Sequence, residues 1–397
     1  MPRIIQPSGP VASFDPELAT LSDVLPPHVA LLCVTNSSSP DGPALSLNWH
    51  YKRTTESAPH ESISPELPLS GLSLAVQMED ADASRDEEHP WEDTYYDAMN
   101  WWLQQDALVT WVRELLTSST QPRLVIWDNT AYDIPWELFY HQPQGRSDDE
   151  PHGWLGALVP VIRWTSVHDG ERVWRFSAEE QRSEGGLLML EDETLKADSD
   201  VYPRYLIEPP LRTMHELMHR LNEPGAPFGL LVIRCHGLYS NVLRRFTLGG
   251  LALNRYTDYS MTALRHFRTP VLLNACASGQ TLRDTRSPGH PVRSFVELFL
   301  RRGASAVIAV TGDIDIDHSH DFATRLLWTT ESGKANLASI LQQHRKHYAN
   351  KARRPPGARD TRTEEDFQRF FASFLYVYYG HPDTTLRVVC RAEEGAP

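Results

Sequence analysis

Apolar residues in this chain fall into two repeating patterns. In the first, short unbroken aliphatic runs are closed off by small or polar residues. Gly229-Leu230-Leu231-Val232-Ile233 precedes Arg234-Cys235-His236-Gly237, and Pro270-Val271-Leu272-Leu273 precedes Asn274-Ala275-Cys276-Ala277-Ser278-Gly279. Runs of this length predict strands buried on both faces. Others are predicted at Val29 to Thr35, Ala44 to Tyr51, Arg123 to Trp127, Val159 to Thr165, Gly186 to Leu190 and Ala304 to Val310, with a last one near Leu386. In the second pattern apolar residues recur at helical spacing. Trp101, Leu108, Trp111, Val112 and Leu115 mark a helix over about Tyr95 to Leu116, a stripe that reads as core packing. Leu211, Met214, Leu217, Met218 and Leu221 mark another over Glu208 to Leu221. Further helices are predicted over Tyr259 to Phe267, Val292 to Arg301, His320 to Trp328, Leu337 to Tyr348 and Phe367 to Tyr379, with a hairpin-like stretch over Thr247 to Asn254. Pro135 suits the first turn of a helix in Ile134-Pro135-Trp136-Glu137-Leu138. Strand–helix alternation in the second half implies a parallel sheet covered by helices.

The polar stretches set the outline. Residues 1–27 are proline-punctuated and read as a surface meander, residues 53–92 as a polar, acidic loop or insertion, and residues 280–291 as an exposed loop. No repeat is present. No segment approaches the ~18 apolar residues of a membrane span, and the amino terminus has no signal-peptide apolar region. A cytoplasmic protein with no membrane partner is expected. The formal net charge of −14 argues against direct nucleic-acid binding, which calls for a basic face.

Candidate chemistry enters at the strand ends. The four cysteines, Cys33, Cys235, Cys276 and Cys390, form no C-x-x-C pair, which disfavours a structural zinc site. Cys33 and Cys390 lie in apolar runs and read as small buried hydrophobes, and Cys235 is open to the same reading. Cys276 stands among small residues beside a glycine, where a thiol can be reached. His236 and Cys276 both follow buried strands, and the carboxyl edge of a parallel sheet is where sites are built. An imidazole and a thiol meeting there can do nucleophilic chemistry. Taken alone, the two residues read first as a packed histidine and a buried thiol. His266, His290, His318 and His320 are expected on the surface or rim. Ser278 lacks the G-x-S-x-G setting of a serine nucleophile, since residue 276 is Cys. The acidic run Asp313, Asp315 and Asp317 should border the same cleft and could attract a basic substrate side chain. With His318, His320 and Asp321 it also invites a metal reading. The calcium-loop pattern fails, because His318 replaces the required glycine and Thr324 the required glutamate.

Four motifs, in order, resemble those of CHAT-domain proteins, bacterial relatives of caspases and separase in the caspase-like (clan CD) cysteine peptidase group. They are His236-Gly237 with Asn274 to Gly279, Asp133-Ile134-Pro135-Trp136-Glu137-Leu138 against the family's "iPWElL", Arg302-Gly303-Ala304-Ser305-Ala306-Val307-Ile308 against "GA..VI", and Tyr378-Tyr379-Gly380-His381-Pro382 against "YGdP". The similarity covers roughly residues 120–390. It implies a caspase-like three-layer α/β/α sandwich with a mainly parallel central sheet. Residues 121–397 would be the peptidase domain, with residues 1–120 packed on it or part of it. The resemblance further implies Cys276 as nucleophile, His236 as general base and acid, and an oxyanion hole from the backbone N–H groups of Gly237 and Cys276. Asn274 falls in the family's substrate pocket. It is neutral, so a preference for Lys or Arg at the cleaved position would rest on Asp313 and Asp315. No cofactor is implied. The implied partners are a protein substrate and an activating or regulatory protein, in a bacterial defence or cell-death setting. In related peptidases the 280–291 region is often processed. The alternative is a catalytically silent scaffold that docks a partner through its acidic surface and the 53–92 insertion.

Overall fold

The computed structural model describes residues 26–39, 42–51, 61–63, 102–103, 105–118, 121–128, 134–142, 151–164, 166–169, 172–175, 181–195, 201–240, 242, 244–281, 294–352 and 364–390. Nearly all of the 1–27 meander, most of the 53–92 insertion and the 280–291 loop beyond residue 281 lie outside them.

Ten strands build one sheet: β1 (Val29–Ser39), β2 (Gly42–His50), β3 (Glu61–Ile63), β4 (Arg123–Asp128), β5 (Val161–Trp164), β6 (Leu187–Glu191), β7 (Leu230–Arg234), β8 (Val271–Asn274), β9 (Ala306–Val310) and β10 (Tyr376–Gly380). Their spatial order is β6-β7-β8-β9-β10-β5-β4-β1-β2-β3. The strands β6 to β9 are mutually parallel. β10 runs antiparallel to β9 and parallel to β5, and β5, β4 and β1 continue parallel. β2 and β3 close that side as antiparallel strands. Every residue of β6, β7, β8 and β9 is buried, as expected of strands covered on both faces.

Besides a single turn at Leu155–Leu158, the helices among the described residues are α1 (Asp106–Leu116), α2 (Met214–Asn222), α3 (Thr262–Phe267), α4 (Phe295–Arg301), α5 (Ile316–Glu331), α6 (Leu337–Ala352) and α7 (Glu364–Leu375). Strand alternation divides the apolar side chains of β1, β4 and β5 between two layers. Leu31, Val125 and Ile162 join the main core, while Leu32, Ile126 and Val161 pack with Leu108, Trp111, Val112 and Leu115 of α1. The molecule is thus a three-layer α/β/α sandwich around a mainly parallel sheet.

Several sequence expectations shift. The helix expected over Glu208 to Leu221 begins only at Met214. Pro209 and Pro210 keep the preceding chain extended, and Leu211 bridges Leu190 instead. Thr213 then caps the helix, its side chain accepting the Glu216 N–H while Glu216 reaches back to the Thr213 N–H. The helix expected over Phe367 to Tyr379 stops at Leu375, and Tyr376–Gly380 is β10 in mid-sheet. Pro135 precedes a single 3-10 turn, Trp136–Leu138, rather than an α-helix. Cys390 is half-buried, with its thiol donating to Glu331 Oε1 at 2.9 Å, and is not the buried hydrophobe expected.

Candidate active site

Because β6, β7 and β8 are parallel, their carboxyl ends share one edge. Arg234 of β7 is in register with Asn274 of β8, so the residues two positions further on, His236 and Cys276, leave the sheet side by side. Their backbones then touch. A Cβ built on Gly237 would overlap the Cys276 carbonyl oxygen outright and would lie 3.0 Å from the carbonyl carbon. Only glycine allows that approach.

Each segment is pinned separately. On the histidine side, Gly237–Leu238 pairs with Thr247–Leu248, and the Gly249 N–H donates to the His236 carbonyl at 2.8 Å. Gly249 and Gly250 both have positive φ, the geometry a two-residue hairpin turn requires. On the cysteine side, Ala277 sits in the left-handed region at φ 53°, which turns the chain sharply after Cys276. Ala277 N–H donates to Gly312 O at 2.9 Å and Gly279 N–H to Val310 O at 2.7 Å. Ser278 is a buried clip: its hydroxyl donates to Leu273 O and accepts from Val310 N–H, joining β8 to β9.

The thiol is half-buried and faces the loop after β9. Cys276 Sγ accepts from Ile314 N–H at 3.5 Å and lies 3.7 Å from Ile314 O. Burial pushes the Cys276 thiol up, and the Asp313 carboxylate adds to the shift, outweighing the Ile314 N–H that favours thiolate. The His236 ring is exposed, and its Nε2 lies 2.9 Å from Thr194 Oγ1. Thr194 follows β6, one strand over. It and Asp192 were not singled out from sequence, where Asp-x-Thr after a strand reads as an ordinary turn.

The other predicted residues divide. Asn274 is buried and both ends of its amide are engaged: Oδ1 accepts from Tyr376 OH at 2.6 Å, and Nδ2 donates to Ser319 O at 2.9 Å. It ties β8 to the start of β10 and to α5 beneath the dyad. Asp313 is exposed beside the thiol. Asp315 caps α5, its Oδ1 accepting from His318 N–H at 2.7 Å. The His-and-Asp run does not converge on a point. His320 Nδ1 lies 3.4 Å from Tyr202 OH, and Asp321 accepts from Tyr348 OH at 3.0 Å. Among the described residues no group of three or more His, Cys, Asp or Glu side chains could hold an ion.

His318 is not on the rim. It is buried on the inner side of α5, with its Nε2 3.2 Å from that of His344. Burial lowers both imidazoles: His318 falls to about 4 despite help from Asp315 and Asp321, and His344 falls well below its ordinary value. The folded protein therefore resists protons that the unfolded chain accepts. Stability is full above pH 6.5 and falls as pH drops from 6.5 towards 4, by up to roughly 3 kcal/mol for His318 alone. Denaturant midpoints at pH 7 and pH 5 should differ in that direction, and equal midpoints would contradict it.

No family model matches the chain, and no curated protein matches it. Among solved structures, two crystal structures of the Saccharomyces cerevisiae separase–securin complex resemble it. TM-scores are 0.49 and 0.51, with 9% identity in each case, covering 89% and 91% of this chain. The chain spans only 30% of the length of those chains. At 9% identity the match with the TM-score of 0.51 is a likeness of fold alone: a mixed α/β architecture around a large, mostly parallel sheet, the caspase-like arrangement.

Proposed function

We propose that this chain is a cysteine endopeptidase of the CHAT type, acting on a specific protein through a His236–Cys276 dyad. The observation that carries the reading is the backbone contact of Gly237 with Cys276, which holds an imidazole-bearing and a thiol-bearing segment against each other at one sheet edge. The reaction is acyl transfer. The Cys276 thiol gives its proton to His236, the thiolate attacks a peptide carbonyl, and the oxyanion is held by the N–H groups of Gly237 and Cys276. His236 then protonates the leaving amine, and water releases the acyl-enzyme.

The thiol environment supports a regulated enzyme. With its thiol pushed up and set against Asp313–Ile314, Cys276 rests protonated at neutral pH and reacts slowly, and a shift of that loop would speed it. An activating protein is the natural agent of the shift, in keeping with a role in bacterial defence or cell death. Asp313 and Asp315 are the acidic groups a Lys or Arg at the cleaved position would meet, and Asn274 would contribute through the strand end it fixes, since both ends of its amide are engaged. Leu238 and Ile316, 62% and 43% exposed, flank the dyad segment and Asp315 and offer apolar contacts to neighbouring substrate residues.

A peptidyl acyloxymethyl ketone tests the reading, because it alkylates an activated thiol. Wild type should be labelled, and Cys276→Ala and His236→Ala should not. Labelling that persists in Cys276→Ala would instead favour a silent scaffold with reactive cysteines elsewhere.

A further inference from the structure

The hydrogen bonds around His236 have a direction that the heavy-atom positions settle. Asp192 Oδ1 receives the Thr194 backbone N–H at 3.0 Å and lies 2.7 Å from Thr194 Oγ1. A carboxylate only accepts, so the Thr194 hydroxyl proton must point at Asp192. Thr194 Oγ1 then faces His236 Nε2, 2.9 Å away, as an acceptor. The ring nitrogen opposite it has to be the one that carries hydrogen. Turning the hydroxyl towards the ring would leave two oxygens 2.7 Å apart with no proton between them.

We propose that Asp192 and Thr194 are positioning residues for His236: through Nε2 they hold the neutral ring as the Nε2–H tautomer, which leaves the Nδ1 lone pair to take the Cys276 proton. The inference rests on the peptidase reading for the second step and on geometry alone for the first. In that step the S–H bond breaks, the proton passes to Nδ1, and the sulfur keeps the electron pair. The resulting imidazolium still donates from Nε2 to Thr194, and the Asp192 charge behind the hydroxyl offsets its new charge. Nδ1 later returns the proton to the leaving amine.

The turn that carries the pair is anchored for this task. The Asp192 N–H donates to Arg234 O at 2.9 Å, two residues before His236. The buried Arg234 guanidinium donates to Glu191 Oε1 at 2.6 Å and to Leu195 O at 3.2 Å. Residues on both sides of Asp192-Glu193-Thr194 are thus bonded to Arg234, the last residue of the strand that leads into His236. The two hydrogen bonds from Thr194, with a smaller contribution from His236, hold the Asp192 carboxyl below the usual carboxylate range, so it stays ionised wherever the dyad would act. The arrangement differs from a lone backbone carbonyl on the histidine in that side chains can be exchanged.

The test uses the full chain labelled with 15N. Ring nitrogen shifts of neutral His236 should report the Nε2–H form in wild type and in Cys276→Ala. In Thr194→Val they should drift towards the mixed tautomers of a free imidazole, and Thr194→Ser should restore them. Labelling of Cys276 by the ketone should fall about tenfold in Thr194→Val, the size expected for one charge-assisted hydrogen bond on an exposed ring, with partial loss in Asp192→Asn and recovery in Thr194→Ser. Thr194 is exposed, so the valine should leave folding intact, and unchanged melting would confirm this. Ring shifts and labelling both unmoved in Thr194→Val, or an Nδ1–H ring in wild type, would overturn the proposal. A ring that responds to Thr194 in a protein whose Cys276 takes no label would support the orienting relay and overturn the peptidase reading instead.

Discussion

Gly237→Ala should all but extinguish labelling of Cys276 and weaken the fold at the same time. The new methyl group would occupy the place of the Cys276 carbonyl oxygen, a backbone atom that cannot rotate away. Neither side yields easily. The histidine segment is held by Gly249 N–H on His236 O and by pairing with Thr247–Leu248. The cysteine turn is bolted to β9 through Gly279 on Val310 O and through the Ser278 hydroxyl. Relief must come from separating the two segments, and that is the distance on which proton transfer depends. A displacement of about 1 Å at reacting groups commonly costs ~100-fold in rate. Overpacking a fixed site costs roughly 1–3 kcal/mol in stability. Gly333→Ala is the matched control, since nothing lies within 4 Å of a Cβ there. Labelling rates and thermal melts on the two variants decide the point: wild-type labelling and melting in Gly237→Ala would mean the two segments do not meet as described.

The ends of β7 and β8 were readable because a fully buried parallel strand is an unbroken aliphatic run, and its end is marked where polar and small residues begin. His236 and Cys276 follow directly from that pattern. The strand β10 was not readable in the same way. From Phe370 to Tyr379 only Ser373 interrupts the apolar residues, with no glycine or proline at the Leu375–Tyr376 junction, so helix runs into strand without punctuation. Only the places waiting beside β9 and β5 make Tyr376–Gly380 extended. The same limit hid the function of Asn274. Its partner Tyr376 is 102 residues away and meets it only because β10 enters the sheet at the edge where β8 ends. Asp192 and Thr194 stayed hidden because their partner belongs to the neighbouring strand, and a turn signal says nothing about which strand that is. His318 was placed on the rim because its neighbours are charged; the helical period of α5 carries it inward with Ser319 and Phe322.

The largest stability effect is expected far from the dyad, at Glu137 of the Pro-Trp-Glu-Leu motif. Its side chain is 1% exposed and bears on two guanidinium groups. Arg163 Nε donates to Glu137 Oε1 at 3.0 Å, and Arg345, itself fully buried, lies 3.6 Å away. Burial alone would raise the Glu137 carboxyl, but the two cations outweigh it and hold it below its ordinary value. Burial lowers Arg345 to about 10. The charge count decides the outcome of substitution. Glu137→Gln leaves two buried cations facing each other with no anion between them, and breaking a buried pair in this way costs about 3–5 kcal/mol. Arg345→Met keeps the apolar stem and leaves Glu137 balanced by Arg163 alone, so it should cost less, chiefly the hydrogen bond that Arg345 gives to Tyr376 O. That bond fixes the first residue of β10, whose hydroxyl holds Asn274 two residues before Cys276. Arg345→Met should therefore slow Cys276 labelling more than its modest loss of stability would suggest, whereas Glu137→Gln should act through unfolding. Urea titrations that rank Arg345→Met as the more damaging change would show that the carboxylate is not the keystone of this cluster.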